Sequence, residues 1–177
     1  MNTFIQIVCH SYDHYYNPVL GTGNAPAQCE NYANIARNYY DQSSMYNAYT
    51  NLGYSSHFLT DVGNPLHTGM EIEQALNSWV HAEYEDYVGE NWDQGNGEGY
   101  NFKSVIQNNG YYYTITDPSS STQSLARYAK NYDDELYYLV YNHRYTFRTD
   151  PDVRSITENC LLDMAKYTLG LVKYVRD

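Results

Sequence analysis

The sequence predicts an all-α fold: a single-domain bundle of about five helices, interrupted by one irregular Gly/Asn/Tyr-rich insert around residues 89–122. Helical periodicity dominates the chain on both sides of that insert. Helices resume immediately after it, so the insert is not a linker between domains. The length of 177 residues fits one domain spanning 1–177.

Residues 27–41 place Cys29, Tyr32, Ala33, Ala36 and Tyr40 along one stripe. After the Gln42-Ser43-Ser44 break, residues 45–62 form a second helix with Ala48, Leu52, Ser55, Leu59 and Val62 inward. Gly63-Asn64-Pro65 stops it, because the residue before a proline is pushed out of the α region. A third helix covers 71–88, carrying Ile72, Leu76, Trp79 and Val80. The insert follows, with Tyr111–Ile115 reading as a short β-like run before Asp117-Pro118. Residues 123–142 carry Leu125, Ala129, Tyr132, Leu136, Leu139 and Val140 as a fourth helix. The last, 151–175, opens with Asp150 as N-cap and Pro151 as first helical residue, and its stripe is Val153, Ile156, Cys160, Met164 and Tyr167.

Composition narrows the function. The formal charge is −11, a solvated acidic surface that repels polyanions and offers no basic footprint for nucleic acid. Tyrosine supplies 23 residues and phenylalanine 4, so many aromatic side chains carry hydroxyls that need partners. There is no run of about 18 apolar residues to span a membrane. Phe4–Val8 is too short for a signal-peptide core and lacks a basic lead-in, which leaves a cytoplasmic chain or a mature fragment. Cys9, Cys29 and Cys160 fit no CxxC pattern. They read as reduced, mostly buried thiols, with one oxidised pair and a leftover thiol as the alternative.

The histidines carry the chemistry. His57 and Asp61 stand four apart on one helix face, and His81 and Glu85 repeat that spacing on the next helix. His67 follows Asn64-Pro65, where a loop can swing its ring back; His14 lies in an Asp-His-Tyr-Tyr-Asn-Pro turn, with His10 four residues earlier. Imidazole nitrogen and carboxylate oxygen suit zinc, and an i, i+4 pair on a rigid helix fixes two ligands at little entropic cost. One such pair alone is ordinarily a helix-surface contact. Two pairs plus His67 describe a dinuclear cage of the kind that cleaves phosphate esters. His143 has no such company and reads as a solvent-facing residue near a helix end, where a cation suits the dipole.

The run His57-Phe58-Leu59-Thr60-Asp61-Val62-Gly63-Asn64-Pro65-Leu66-His67 resembles the His-Tyr-Leu-Gly-Asp-x-Asn-Gln-Pro-Met-His segment of zinc-dependent phospholipases C. That family includes the Bacillus-type enzyme and the clostridial alpha-toxin, with S1/P1 nucleases as distant relatives. His81-Ala82-Glu83-Tyr84-Glu85 is similar to the family's following His-x-x-x-Glu, and His14-Tyr15-Tyr16-Asn17-Pro18 to its His-Phe-aromatic-Asp-Pro turn. The resemblance covers about residues 10–90. It implies that His14, His57 and Asp61 hold one zinc and that His67, His81 and Glu85 hold a second, with His10 competing for the place of His14. It also implies secretion. The family's N-terminal tryptophan, which binds a third zinc, and an upstream aspartate serving as ligand and general base have no counterpart in the chain. Either an upstream segment carrying these groups has been removed, or the chain is a shortened relative; on both readings these residues are expected to hold two zinc ions, with no third site and weak hydrolysis at most. No general base is found: Glu83 and Asp86 flank the His81–Glu85 pair, but helix geometry turns them from its face.

Three functions compete. The first is a phospholipase C-type phosphodiester hydrolase acting on phospholipid or another phosphate ester. The second is an S1/P1-type nuclease, which the charge of −11 opposes. The third is a metal-stabilised, non-catalytic extracellular or assembly domain that uses tyrosines for contacts, including self-association.

Overall fold

Pro26 opens the first helix, α1 (Ala25–Asp41), with the fixed φ that suits a helix start. The computed structural model describes residues 12–69, 77–93, 95 and 97–177. Among these it contains seven α-helices and no strand; an isolated bridge joins Asn17 and Thr22. Helix α1 buries the small residues Ala25, Cys29, Ala33 and Ala36, which lets α2 (Met45–Asp61) pack closely against it. The connection between them is short, so the two run as an antiparallel hairpin. The predicted inward set Ala48, Leu52, Ser55, Leu59 and Val62 is buried throughout. Beyond α2, Asn64 accepts a hydrogen bond from the Leu66 N–H at 3.1 Å and starts a 3₁₀ turn, Pro65–His67.

Helix α3 (Ser78–Glu90) buries Val80, Tyr84 and Tyr87, while Trp79 is half-buried. Ile72 and Leu76 of the predicted third helix lie outside the described residues. The insert is not wholly irregular. It holds α4 (Phe102–Gln107), capped by Asn101 and anchored by the fully buried Phe102.

Two other expectations are corrected. Tyr111–Ile115 is not a strand, because among the described residues no second strand offers it a ladder. It lies extended along the last helix, with the Tyr113 N–H donating to the Lys166 carbonyl at 3.2 Å and Ile115 in the core. Residues 123–142 are not one helix but two, α5 (Pro118–Lys130) and α6 (Asp133–Asn142). Asn131 caps α5, and Asp133, Asp134 and Glu135 sit in the first turn of α6, where acids favour the exposed N–H groups of a new helix start.

Helix α7 (Pro151–Arg176) is capped as predicted, Asp150 accepting from the Asp152 N–H at 2.8 Å. It organises the molecule. Its N-terminal half packs Val153, Ile156 and Cys160 with α3, α6, Phe102 and Phe147. Its C-terminal half packs Leu171 and Val175 with α1, α2 and α5. Met164 touches both clusters. Cys29 and Cys160 are free, buried thiols, one in each cluster; Cys9 lies outside the described residues. No helix among the described residues is long and apolar enough to cross a membrane.

Candidate metal centre

The two cores carry the two halves of the site. Asp61 ends α2, packed in the first cluster, while His81 and Glu85 lie on α3, packed in the second. His14 comes from the segment before α1, and His67 from the 3₁₀ turn between α2 and α3. Gly23 fixes the His14 turn: its φ is +113°, and a Cβ there would stand 2.1 Å from the Tyr15 carbonyl oxygen. Only glycine permits that approach.

His14 Nδ1 stands 2.6 Å from Asp61 Oδ2, and His57 Nε2 stands 3.6 Å from the same oxygen. In the second group, His67 Nε2 lies 2.5 Å from His81 Nε2, and Glu85 Oε1 lies 3.5 Å and 3.2 Å from those nitrogens. In each triplet one ligand atom from every residue falls within 4.8 Å of the others. All six predicted side chains therefore meet in two groups of three. His10 lies outside the described residues. His143 belongs to neither group; it is the exposed C-cap of α6, as a helix-end histidine should be.

The groups are connected. His67 Nδ1 donates to the carbonyl oxygen of His14 at 2.9 Å, and the Tyr16 N–H donates back to the His67 carbonyl at 3.2 Å. With Nδ1 committed as donor, His67 presents Nε2 toward His81 and Glu85. Such a bond to the remote ring nitrogen is the usual device for aiming a metal-binding imidazole. This link has no sequence signal, since it depends on the folded path between distant segments.

Electrostatics follow from the crowding. Burial opposes a charge on His67, but its hydrogen bonds to Glu85 and the His14 carbonyl, and the charge of Asp61, prevail and raise its pKa. His81 is pushed down, by burial first and then by the facing His67. Glu85 is held below the usual carboxylate range, chiefly by its bond to His67. His67 Nε2, His81 Nε2 and Glu85 Oε1 converge on one point, ground that suits a metal cation. The donor sets, two imidazoles and one carboxylate each, fit zinc or a similar divalent ion. Glu83 points elsewhere, toward Arg144 at 3.5 Å and Arg148 at 3.7 Å. Asp86 is exposed.

No family model matches the chain. Two curated relatives from Bacillus cereus, both named phospholipase C, are 25% identical over 176 residues, covering 90% of this chain. The chain resembles the phospholipase C family. It spans 59% of the length of those relatives. Among solved structures, the alpha toxin from Clostridium absonum superimposes with a TM-score of 0.62 at 20% identity, over 93% of this chain and 47% of that one. The Clostridium perfringens alpha-toxin of avian strain SWCP gives 0.64 at 20% identity, over 93% and 48%. At that identity the likeness speaks for the all-α fold alone.

Proposed function

We propose that the chain is a zinc-dependent phosphodiester hydrolase of phospholipase C type, acting on phospholipids. The observation that carries this reading is the pair of three-residue groups joined by the His67–His14 bond, in a chain similar to phospholipase C. His14, His57 and Asp61 would hold one ion and His67, His81 and Glu85 the other. When bound, such ions polarise a phosphoryl oxygen and lower the pKa of water to about 7.

The chain's own residues supply position and charge. Asp61 holds the His14 ring through its Nδ1, and the His14 carbonyl in turn aims His67. His57 and Glu85 are each more than half exposed, so a phosphate reaches both groups from solvent. The charge of −11 favours a substrate of low net charge, such as a zwitterionic phospholipid, over a polyanion. The family resemblance of the His57–His67 segment supports a place of action outside the cell.

The test is hydrolysis by zinc-loaded protein of phosphatidylcholine and of single-stranded DNA, each with and without a chelator. Slow zinc-dependent release of phosphocholine, with DNA left intact, is the expected result. Cleavage of DNA alone, or tight zinc binding without hydrolysis of either substrate, would reject the reading.

A further inference from the structure

The turn that follows His14 presents two aliphatic side chains to solvent on a rigid mount. Val19 is 75% exposed and Leu20 70%. They sit at the tip of a loop closed by the Asn17–Thr22 bridge. The Asn17 side-chain oxygen accepts from both the Val19 and Leu20 N–H groups, at 2.9 and 3.0 Å, and the Asn17 backbone carbonyl accepts from Gly21 at 2.8 Å. The Asn17 N–H closes the base by donating to Thr22 at 2.7 Å. This is an Asx turn, whose chemistry is supplied by asparagine and the backbone. Nothing in it needs an aliphatic residue at either tip position. Below the tip, Tyr15, Tyr16 and Asn17 are buried, so the mount is anchored in the domain.

Single exposed apolar residues are ordinary on a protein surface. Two adjacent ones, nearly fully exposed and held by a fixed turn, leave apolar area that binding to an apolar phase would remove from water. The position is informative as well. Val19 is five residues from His14, so its backbone lies no more than about 18 Å from that residue. A tip buried in a lipid surface would hold the metal centre near the phosphate layer.

We infer that Val19 and Leu20 are an interfacial anchor that seats the metal centre on a zwitterionic lipid surface. The net charge of −11 selects that surface over an anionic one, which would repel the protein. The inference rests on the proposed phospholipid hydrolysis and adds to it how the site meets its substrate.

The experiment compares zinc-loaded wild type with the double variant Val19→Ser/Leu20→Ser. Both are sedimented with phosphatidylcholine vesicles and assayed on those vesicles and on a monomeric short-chain phosphatidylcholine. Circular dichroism checks the fold, and light scattering gives the oligomeric state. The expected result is a loss of vesicle partitioning of about tenfold or more, a parallel loss of vesicle hydrolysis, and unchanged hydrolysis of the monomeric lipid. A Leu20→Trp variant should show a blue-shifted fluorescence increment on adding vesicles. Equal partitioning of wild type and the serine variant, or no partitioning by either, overturns the anchor even if the monomeric lipid is cleaved. A dimer that the serine substitutions dissociate would assign the tip to a second copy of the chain instead. Vesicle binding that depends on Val19 and Leu20 without hydrolysis of either lipid would leave the anchor standing and reject the hydrolase.

Discussion

His67 donates its Nδ1–H to the carbonyl oxygen of His14 at 2.9 Å, and this bond ties a side chain of one triplet to the backbone of a residue of the other. The Tyr16 N–H returns a bond to the His67 carbonyl, so the two segments are strapped together at both ends of one residue pair. Among the described residues, the polar side-chain contacts of His81 are within its own triplet, to His67 and Glu85.

The two histidines should therefore fail differently. In His81→Ala the first triplet keeps its geometry, and roughly one zinc per chain should remain. In His67→Ala the strap is lost as well, and zinc content should fall further, because outer-shell partners commonly change metal affinity by about 10–100-fold. Elemental analysis of both variants decides it. Equal zinc in the two would show that the strap orients nothing.

Much of this arrangement was readable in the chain. The His57/Asp61 and His81/Glu85 pairs declare themselves by helical spacing, and Pro65 declares the turn that carries His67. What could not be read was the strap, because a ring-to-carbonyl bond between residues 53 positions apart has no local signature. The helix errors have a different origin. Asp117-Pro118 is the same N-cap and first-residue pair as Asp150-Pro151, which located α7. The tyrosine run before it reads as a strand and masks that helix start. The acidic triplet Asp133–Glu135 likewise announced a new helix start inside an apolar pattern that continued across the break. Periodicity locates a buried face well, but it does not report the cap that interrupts it.

Two buried tyrosines offer a matched test of packing. The Tyr84 hydroxyl meets Thr157 Oγ1 at 3.1 Å, whereas the buried Tyr87 hydroxyl has no hydrogen-bond partner among the described residues. Tyr84→Phe should lower stability by about 1 kcal/mol. Tyr87→Phe should leave it unchanged or raise it, since an unsatisfied buried hydroxyl costs about 1–3 kcal/mol. Urea unfolding midpoints measure both, and a larger loss from Tyr87→Phe would mean that its hydroxyl is satisfied after all.

Gly170 lets the 111–115 segment lie against α7. A Cβ at this position would stand 2.0 Å from the Tyr113 carbonyl oxygen, and backbone cannot yield as a flexible side chain can. Gly170→Ala gains helix propensity, about 1 kcal/mol. It should nevertheless destabilise the protein, because the segment must lift and Ile115 must leave the core. Faster proteolysis near Tyr111–Tyr113 is the expected signature, read by mass spectrometry of early fragments. An unchanged cleavage pattern with higher stability would contradict the close approach.

Burial, helped by the charge of Asp163, pushes the Cys160 thiol from its ordinary 9.0 up to about 12. The folded state therefore keeps its proton where the unfolded chain loses it. Stability from this group is full below about pH 9 and declines as pH rises from there toward 12. At pH 8 the native thiol should resist alkylation and react once urea is added, as peptide mapping will show. Rapid native labelling at Cys160 would place the residue nearer solvent than the packing allows.

We predict that Asp61 is the carboxylate on which the site depends most. Its Oδ2 lies 2.6 Å from His14 Nδ1 and 3.6 Å from His57 Nε2. Its charge also favours protonation of both His67 and His81 in the other triplet, so it is felt across the whole centre. Asp61→Asn keeps the volume and removes the charge. A ligand set of imidazoles and a neutral amide binds divalent zinc less well, and the field that favours a cation at the second triplet is lost too. We expect zinc affinity, measured by competition with a chromophoric chelator, to fall about tenfold or more. The rise in melting temperature on adding zinc should shrink in step, since that rise grows with the ratio of free ion to dissociation constant. This second readout needs no substrate and no turnover. His10→Ala, at the competing position, should leave both quantities near wild type. If His10→Ala and Asp61→Asn weakened zinc equally, His10 would belong in the first triplet and the assignment of His14 would have to be withdrawn.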